Sequence, residues 1–393
     1  MNTKIIYLDH AATTPISTAV YESMVPFFTE IFGNPSSIHQ AGHSANTHLA
    51  KARNKIAAHF GCSTEDIIFT SSGTSSDNLA IKGVFFENLK QDKQVHIITS
   101  CIEHMAVLQT CRQLETFPQC EITYLPVDQF GYIDPSDVRK NIKKNTVLVS
   151  IMGANNEIGT LQPVEEIARI CKEYDIIFHS DSVQSFPWKP VNSCVDLVSI
   201  SAHKFYGPKG IGILKKSSSI QLQALVSGGG QEQGLFSGTE NVAYIVGMSK
   251  ALEQLTDFRN QSANAILTLR DYFIEGVLTS IDGCQLIGHP SQRLPNHASF
   301  LIDQVDSQLL LNELNNNGIF VSSGSACSSH HQNHSHVLQA IGIDEQVYQG
   351  NVRFSLGYKT TFEEIDFVLD ILPPLVESIR KHAPMAHISS IHI

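Results

Sequence analysis

The chain has 393 residues, 42% of them hydrophobic and 17% charged, with a formal net charge of -11. That is enough chain for two or three domains of ordinary size and a sizeable buried core. The acidic balance leaves no basic footprint for DNA or RNA, no apolar stretch is long enough to span a bilayer, and an anionic ligand would have to be held by local donors.

The first residues, Met1 to Leu8, are polar within two residues of a short apolar run and carry no signal-peptide core, so a cytoplasmic protein is expected. The eight cysteines are scattered without a CxxC, the pattern of reduced thiols rather than a disulfide framework. Leu49, Ala52, Ile56, Ala57 and Phe60 form one apolar face of a helix that Ser44 would cap. Short β-rich runs follow at Ile67–Thr70, Val95–Thr99, Ile122–Leu125, Val147–Ile151, Ile176–His179, Leu197–Ile200 and Ile211–Leu214. Between them, Pro163 suits a first helical position, with Val164, Ile167, Cys171 and Tyr174 after it on one face. Alternating strands and helices predict an α/β fold with a mostly parallel sheet. Around residue 260 the character changes: long helical stretches precede Ala298–Ile302 and Ile319–Val321, which read as strands of a smaller α+β domain. No internal repeat stands out.

Ligands of open α/β sheets collect at the carboxyl ends of the strands. Here those ends carry Ser71-Ser72-Gly73-Thr74, then Glu103-His104, then Asn155-Asn156-Glu157, then Asp181 and Gln184, then Ser201, His203 and Lys204. A loop of small hydroxylated residues entering a helix can cradle a phosphate with backbone N–H groups; taken alone it is as well an ordinary cap and turn. Asp181 can pair with a protonated ring nitrogen or simply cap a turn. His104 can move protons, though most of the 18 histidines must be structural or on the surface. Lys204 can be a Schiff-base amine or a solvated loop residue.

Five motifs follow one another along the chain: Tyr-Leu-Asp-His-Ala-Ala-Thr-Thr-Pro at 7–15, Phe-Gly-Asn-Pro-Ser-Ser-Ile-His at 32–39, Asn-Asn-Glu-Ile-Gly at 155–159, His-Lys-Phe-Tyr-Gly-Pro-Lys-Gly at 203–210 and Ser-Ser-Gly-Ser-Ala-Cys at 322–327. In that order they resemble those of the cysteine desulfurase family, among the fold-type-I pyridoxal phosphate (PLP) enzymes of the class V aminotransferase kind. The resemblance covers nearly the whole chain. It implies a large PLP-binding domain over 14–260 with a seven-stranded sheet. A small α+β domain would comprise 1–13 and 261–393 and carry a catalytic cysteine loop.

The resemblance also assigns roles. Lys204 would hold PLP as a Schiff base, Asp181 would keep the ring nitrogen protonated, and Gln184 would bond the phenolic oxygen. His104 would stack on the ring and shuttle protons. Gly73, Thr74, Ser201 and His203 would bind the phosphate, joined by Thr239 from the other subunit of a homodimer. Asn155 would contact cofactor and substrate, and Arg353, helped by Asn34, would clamp the carboxylate of L-cysteine; outside that context Arg353 reads as a surface ion pair. Cys327 would take the sulfur as a persulfide, releasing alanine, and pass it to an acceptor protein such as an iron–sulfur scaffold, for cluster assembly or thiolation. The small residues around Cys327 suit a thiol that must travel. His330, His331, His334 and His336 follow it. Without cysteine or carboxylate partners they read as a solvated stretch, so no metal is expected.

This sequence departs from the family's usual pattern at four places. Gln233 and Phe236 stand where arginines are common, Ser75 where Glu is frequent and Gly153 where His is frequent. Two other readings accompany the desulfurase: a selenocysteine lyase on the same scaffold, and a PLP-binding scaffold protein with weak or lost catalysis.

Overall fold

A computed structural model describes residues 5–90, 94–261, 263–324, 335–344 and 348–382. Its strands, in chain order, are β1 (Ile6–Tyr7), β2 (Ile67–Thr70), β3 (Val95–Ser100), β4 (Cys120–Leu125), β5 (Thr146–Ser150), β6 (Ile177–Asp181), β7 (Leu197–Ser201), β8 (Gly212–Lys216), β9 (Cys284–Ile287), β10 (His297–Ile302), β11 (Ile319–Phe320) and β12 (Asn351–Ser355). Seven of them form one sheet in the order β2-β8-β7-β6-β5-β3-β4. Its pairings are parallel except those of β8, which runs antiparallel to both β2 and β7. This is the α/β, mostly parallel sheet expected, with each strand within two residues of its sequence run.

The strands are largely apolar because both faces of the sheet are covered, with buried polar residues such as His96, His179 and Ser199 set among the apolar ones. Alternate residues serve the two faces. Ile68, Ile97, Leu148, Leu197 and Leu214 pack with Leu79, Val84, Phe85 and Val107, from the helices Gly73–Leu89 and Met105–Leu114. Phe69, Ile98, Val149, Val198 and Ile213 pack on the other side with Ile56, Ile167 and Met248, from Gln40–Phe60, Val164–Glu173 and Val242–Gln261.

Two helix starts differ from the sequence reading. The helix Gln40–Phe60 is capped by His39, whose Nδ1 accepts from Gly42 N at 3.2 Å. Ser44 therefore lies inside the helix and caps nothing. The apolar periodicity starts only at Ala45, so the polar first turn left no trace in the pattern. Pro163 is the residue before its helix rather than the first within it.

Beyond the sheet, β12, β10 and β9 form an antiparallel sheet, and β1 pairs with β11 in parallel. A separate core gathers there around Phe273, Phe300 and Phe354, with Leu372 from the helix Phe362–His382. Ile6 and Leu8, from the start of the chain, belong to this second core.

Candidate functional site

A cavity of about 450 Å³ opens at the carboxyl ends of the sheet strands. The helix Gly73–Leu89 starts against it. Ser72 Oγ accepts from Ser75 N at 3.1 Å, and the other N–H groups of the first turn remain available for an anion. Gly73 is needed there: a Cβ would stand 2.7 Å from Val183 Cγ2, so a larger residue would push the helix away from Ser201 and the sheet.

Lys204 sits in a short turn after β7 and enters the cavity. Its Nζ donates to Ala11 O at 2.5 Å and Ala12 O at 2.8 Å. Gln184 Nε2 donates to the same Ala11 O at 2.8 Å. Thr14 locks this arrangement, with its N and Oγ1 both 2.9 Å from His203 O and its Oγ1 accepting from Tyr206 N at 2.8 Å. The motifs at 7–15 and 203–210 are thus two halves of one clamp. His203 Nδ1 lies 3.1 Å from Thr13 Oγ1, and burial, with the charges of Lys204 and Lys209, lowers its pKa to about 4. At neutral pH it is an uncharged imidazole.

Asp181 ends β6, with Oδ1 accepting from Val183 N at 3.0 Å. Burial raises its pKa, while His104, that bond and Lys204 pull it back down. A cationic ligand beside it would tip the balance toward the carboxylate. His104 caps the helix Met105–Leu114, its Nδ1 accepting from Ala106 N at 3.1 Å. The neutral ring therefore carries its proton on Nε2.

Arg353 arrives from β12 and is 1% exposed. Nη1 donates to Asn156 O and Nη2 to Asp9 Oδ1, each at 2.9 Å, while the buried Nε has no partner. An oriented guanidinium with an unspent donor suits a carboxylate ligand.

Gly73, Thr74, His104, Asp181, Gln184, Ser201, His203, Lys204 and Arg353 thus share one cavity. Asn155 does not line it. Its amide is consumed internally, Nδ2 on Ile102 O at 2.9 Å and Oδ1 on Glu157 N at 2.8 Å and Ile158 N at 3.1 Å. The neighbouring Asn156 faces the cavity instead. Asn34 is exposed in a turn, its Oδ1 accepting from Ser36 N at 2.9 Å, and Thr239 is also exposed; neither lines the cavity. Cys327, His330, His331 and His334 lie outside the described residues. The flanks of that stretch are anchored: Gly324 N donates to Asn351 Oδ1 at 2.8 Å, and Ser335 Oγ donates to Glu157 Oε2 at 2.5 Å. His336 is spent on Glu103 O at 3.0 Å, and no metal-holding cluster occurs among the described residues.

Sequence reasoning gave no role to Asp9, Asp77 or Glu157, although Asp9 stands in the motif at 7–15 and Glu157 at a strand end. Asp77 had a signal: it follows Gly73 by one helical turn, so both face the same way. The departures also find their places. Gly153 admits nothing larger, since a Cβ would collide with Ser185 Oγ. Gln233 donates to Glu65 O at 2.7 Å, and Phe236 packs against the core behind β2 and β8. Ser75, in the first turn of the helix Gly73–Leu89, has its Oγ 2.7 Å from Ser71 Oγ.

Comparison with known proteins gives the same picture. The profile of the family described as Aminotransferase class-V matches residues 6–368. A protein named Cysteine desulfurase IscS from Dictyoglomus turgidum is 48% identical over 382 residues, 96% of each chain. One of the same name from Methanosarcina thermophila is 45% identical over 97% of this chain and 94% of its own. Among solved structures, a "NifS-like protein" superposes with a TM-score of 0.88 at 38% identity, over 95% of this chain and 100% of its own. "SspA in complex with cysteine" does so with 0.80 at 34%, over 91% and 100%. Since the matched span holds every residue that lines the cavity, from Ala11 to Arg353, the chain belongs to the class-V aminotransferase family.

Proposed function

We propose that this protein is a cysteine desulfurase, converting L-cysteine to L-alanine and passing the sulfur to an acceptor protein for iron–sulfur assembly or thiolation. The observation that carries the reading is the meeting of Lys204, Asp181 and Arg353 in one cavity. Members of the family work as a rule with PLP, and the groups present fit it. A helix start free of side-chain bulk at Gly73 suits the phosphate, a buried acid suits the ring nitrogen, and a lysine enters between them.

Bound there, PLP supplies an electron sink for charge developing beside the substrate's amino group. Lys204 would hold it covalently through Nζ, and Asp181 would keep its ring nitrogen protonated. Gln184 would bond its phenolic oxygen. Thr74, Ser201 and His203 would join the helix N–H groups at the phosphate. Arg353 would orient the substrate carboxylate. His104, with its Nδ1 held by Ala106 N–H, would move protons through Nε2. Cys327 would attack the substrate sulfur as a thiolate. Its S–S bond forms as the substrate C–S bond breaks, and the electron pair left on carbon takes a proton to give alanine.

Asn34 and Thr239 would complete the site in a homodimer. Tyr21, Val25, Phe28, Phe32 and Ile38 are exposed apolar side chains within one stretch that contains Asn34, and a second copy would cover them. The separation of the core around Phe273, Phe300 and Phe354 from the two that cover the sheet supports a large domain over 14–260 and a small one from 1–13 and 261–393. No helix among the described residues is long and apolar enough to cross a membrane, and every described cysteine is free, which supports a cytoplasmic setting. The direct test is incubation with L-cysteine, measuring alanine and sulfide with and without a reductant. Absence of alanine would overturn the reading.

A further inference from the structure

Asp77 belongs to the cavity but to none of the roles above. It lies one turn into the helix Gly73–Leu89, lines the cavity, and is 1% exposed. Behind it a row of polar side chains crosses three strands. Ser150 Oγ at the end of β5 is 2.8 Å from His179 Nδ1 on β6, and His179 Nε2 is 2.9 Å from Ser199 Oγ on β7. All three are fully buried. Asp77 Oδ1 stands 3.6 Å from His179 Nε2, beyond hydrogen-bond reach, and has no hydrogen-bond partner. Two more buried carboxyls face it, Asp181 from the end of β6 and Glu103 after β3.

A buried carboxylate with an orphaned oxygen and two acidic neighbours is a costly ion; a carboxylic acid in the same place is not. Burial first, and Asp181 second, push the Asp77 pKa well above the usual carboxyl range, against the smaller pull of the Ser199 hydroxyl. Burial likewise lowers His179 to about 3, so the row carries no charge to offset an anion.

We propose that Asp77 is a positioning residue of this site, whose buried carboxyl, 3.6 Å from His179 Nε2, packs against the Ser199–His179 row and keeps it in place beneath Asp181. This rests on the reading of Asp181 as the partner of the PLP ring nitrogen. A neutral Asp77 leaves Asp181 as the one anion facing that nitrogen. An Asp181 that shifts on a loosened floor pairs less firmly, and Lys204 Nζ then becomes more basic.

The test is the pH titration of visible absorbance in the PLP-reconstituted dimer or monomer as purified, with steady-state kinetics. Asp77→Leu is expected to raise the midpoint by about one pH unit and lower kcat roughly tenfold, with KM within about threefold of wild type. Asp77→Asn, neutral and of the same shape, is expected to bring the midpoint back to within about 0.3 unit of wild type. Ser199→Ala cuts the row from the other side and should raise the midpoint even where Asp77→Leu fails to fold. A wild-type midpoint in Ser199→Ala, or a shift of a unit or more in Asp77→Asn, overturns the proposal alone. A wild-type visible band in Lys204→Ala would instead overturn the underlying assignment of the cofactor site.

Discussion

Arg353 Nη2 donates to Asp9 Oδ1 at 2.9 Å, so a buried guanidinium on β12 is oriented by a carboxylate near the start of the chain. The pair fixes the guanidinium beside the cavity, and its buried Nε has no hydrogen-bond partner. Lysine there would keep the charge and lose the planar fork. Arg353→Lys should raise KM for L-cysteine about ten- to hundredfold, with a smaller fall in kcat. Steady-state kinetics decide it, and an unchanged KM would remove Arg353 from substrate binding.

Lys204 is the one residue whose loss should bleach the protein. Wild type purified with PLP is expected to be yellow, and Lys204→Ala is expected to lose that band while retaining some cofactor through phosphate contacts. Absorbance spectra of the two, taken at equal cofactor content, provide the check.

Asp181 separates binding from turnover. Asp181→Asn leaves the helix start at Gly73 untouched, so cofactor content should fall little. Alanine production should fall by roughly 100-fold or more, because a neutral amide holds the ring-nitrogen proton weakly. Equal rates in the variant would refute its assigned role.

Cys327→Ser should stop alanine release, and the persulfide of the wild type should map to the peptide containing Cys327. Burial pushes the Cys120, Cys171 and Cys284 thiols up to about 12 and raises Cys62, Cys101 and Cys111 as well, so none of these offers a ready thiolate. Cys194 is exposed and serves as the control. Mass spectrometry that found the added sulfur on Cys101 or Cys194 would sink the mechanism.

Glu157 makes stability depend on pH. Burial pushes its pKa up to about 7, against pulls from the Ser335 bond, Arg353 and His104. Unfolded, it titrates near 4.3. Between those values the folded chain holds a proton that the unfolded chain has lost, so stability falls as pH rises and the cost is complete above about 7. Glu157→Gln should therefore be the more stable protein above that pH, by roughly 1–3 kcal/mol, with the difference fading toward pH ~4. Denaturant melts across this range measure it.

The sheet was legible because both of its faces are buried, which gives β3 and β5 apolar centres in Ile97-Ile98 and Val147-Leu148-Val149; the cavity followed, since its polar residues sit where those runs stop. Adjacent loop residues were harder. Nothing in Asn155-Asn156 says that the first folds inward onto Ile102 while the second faces the cavity. Arg353 alone reads as a surface charge, and only the pairing of β12 with β10 reveals its burial. Asn34 and Thr239 stay off the cavity of one chain, and sequence spacing carries no information on what a second copy would add.

The opening residues have a mechanical consequence. Leu8 is embedded in the C-terminal core with Phe300 and Phe354, while Ala11, Ala12 and Thr14 are fastened to Lys204 and His203. The stretch between is too short to take up slack, so it works as a connecting rod. Any rocking of one core against the other is delivered to the lysine as a push or a pull.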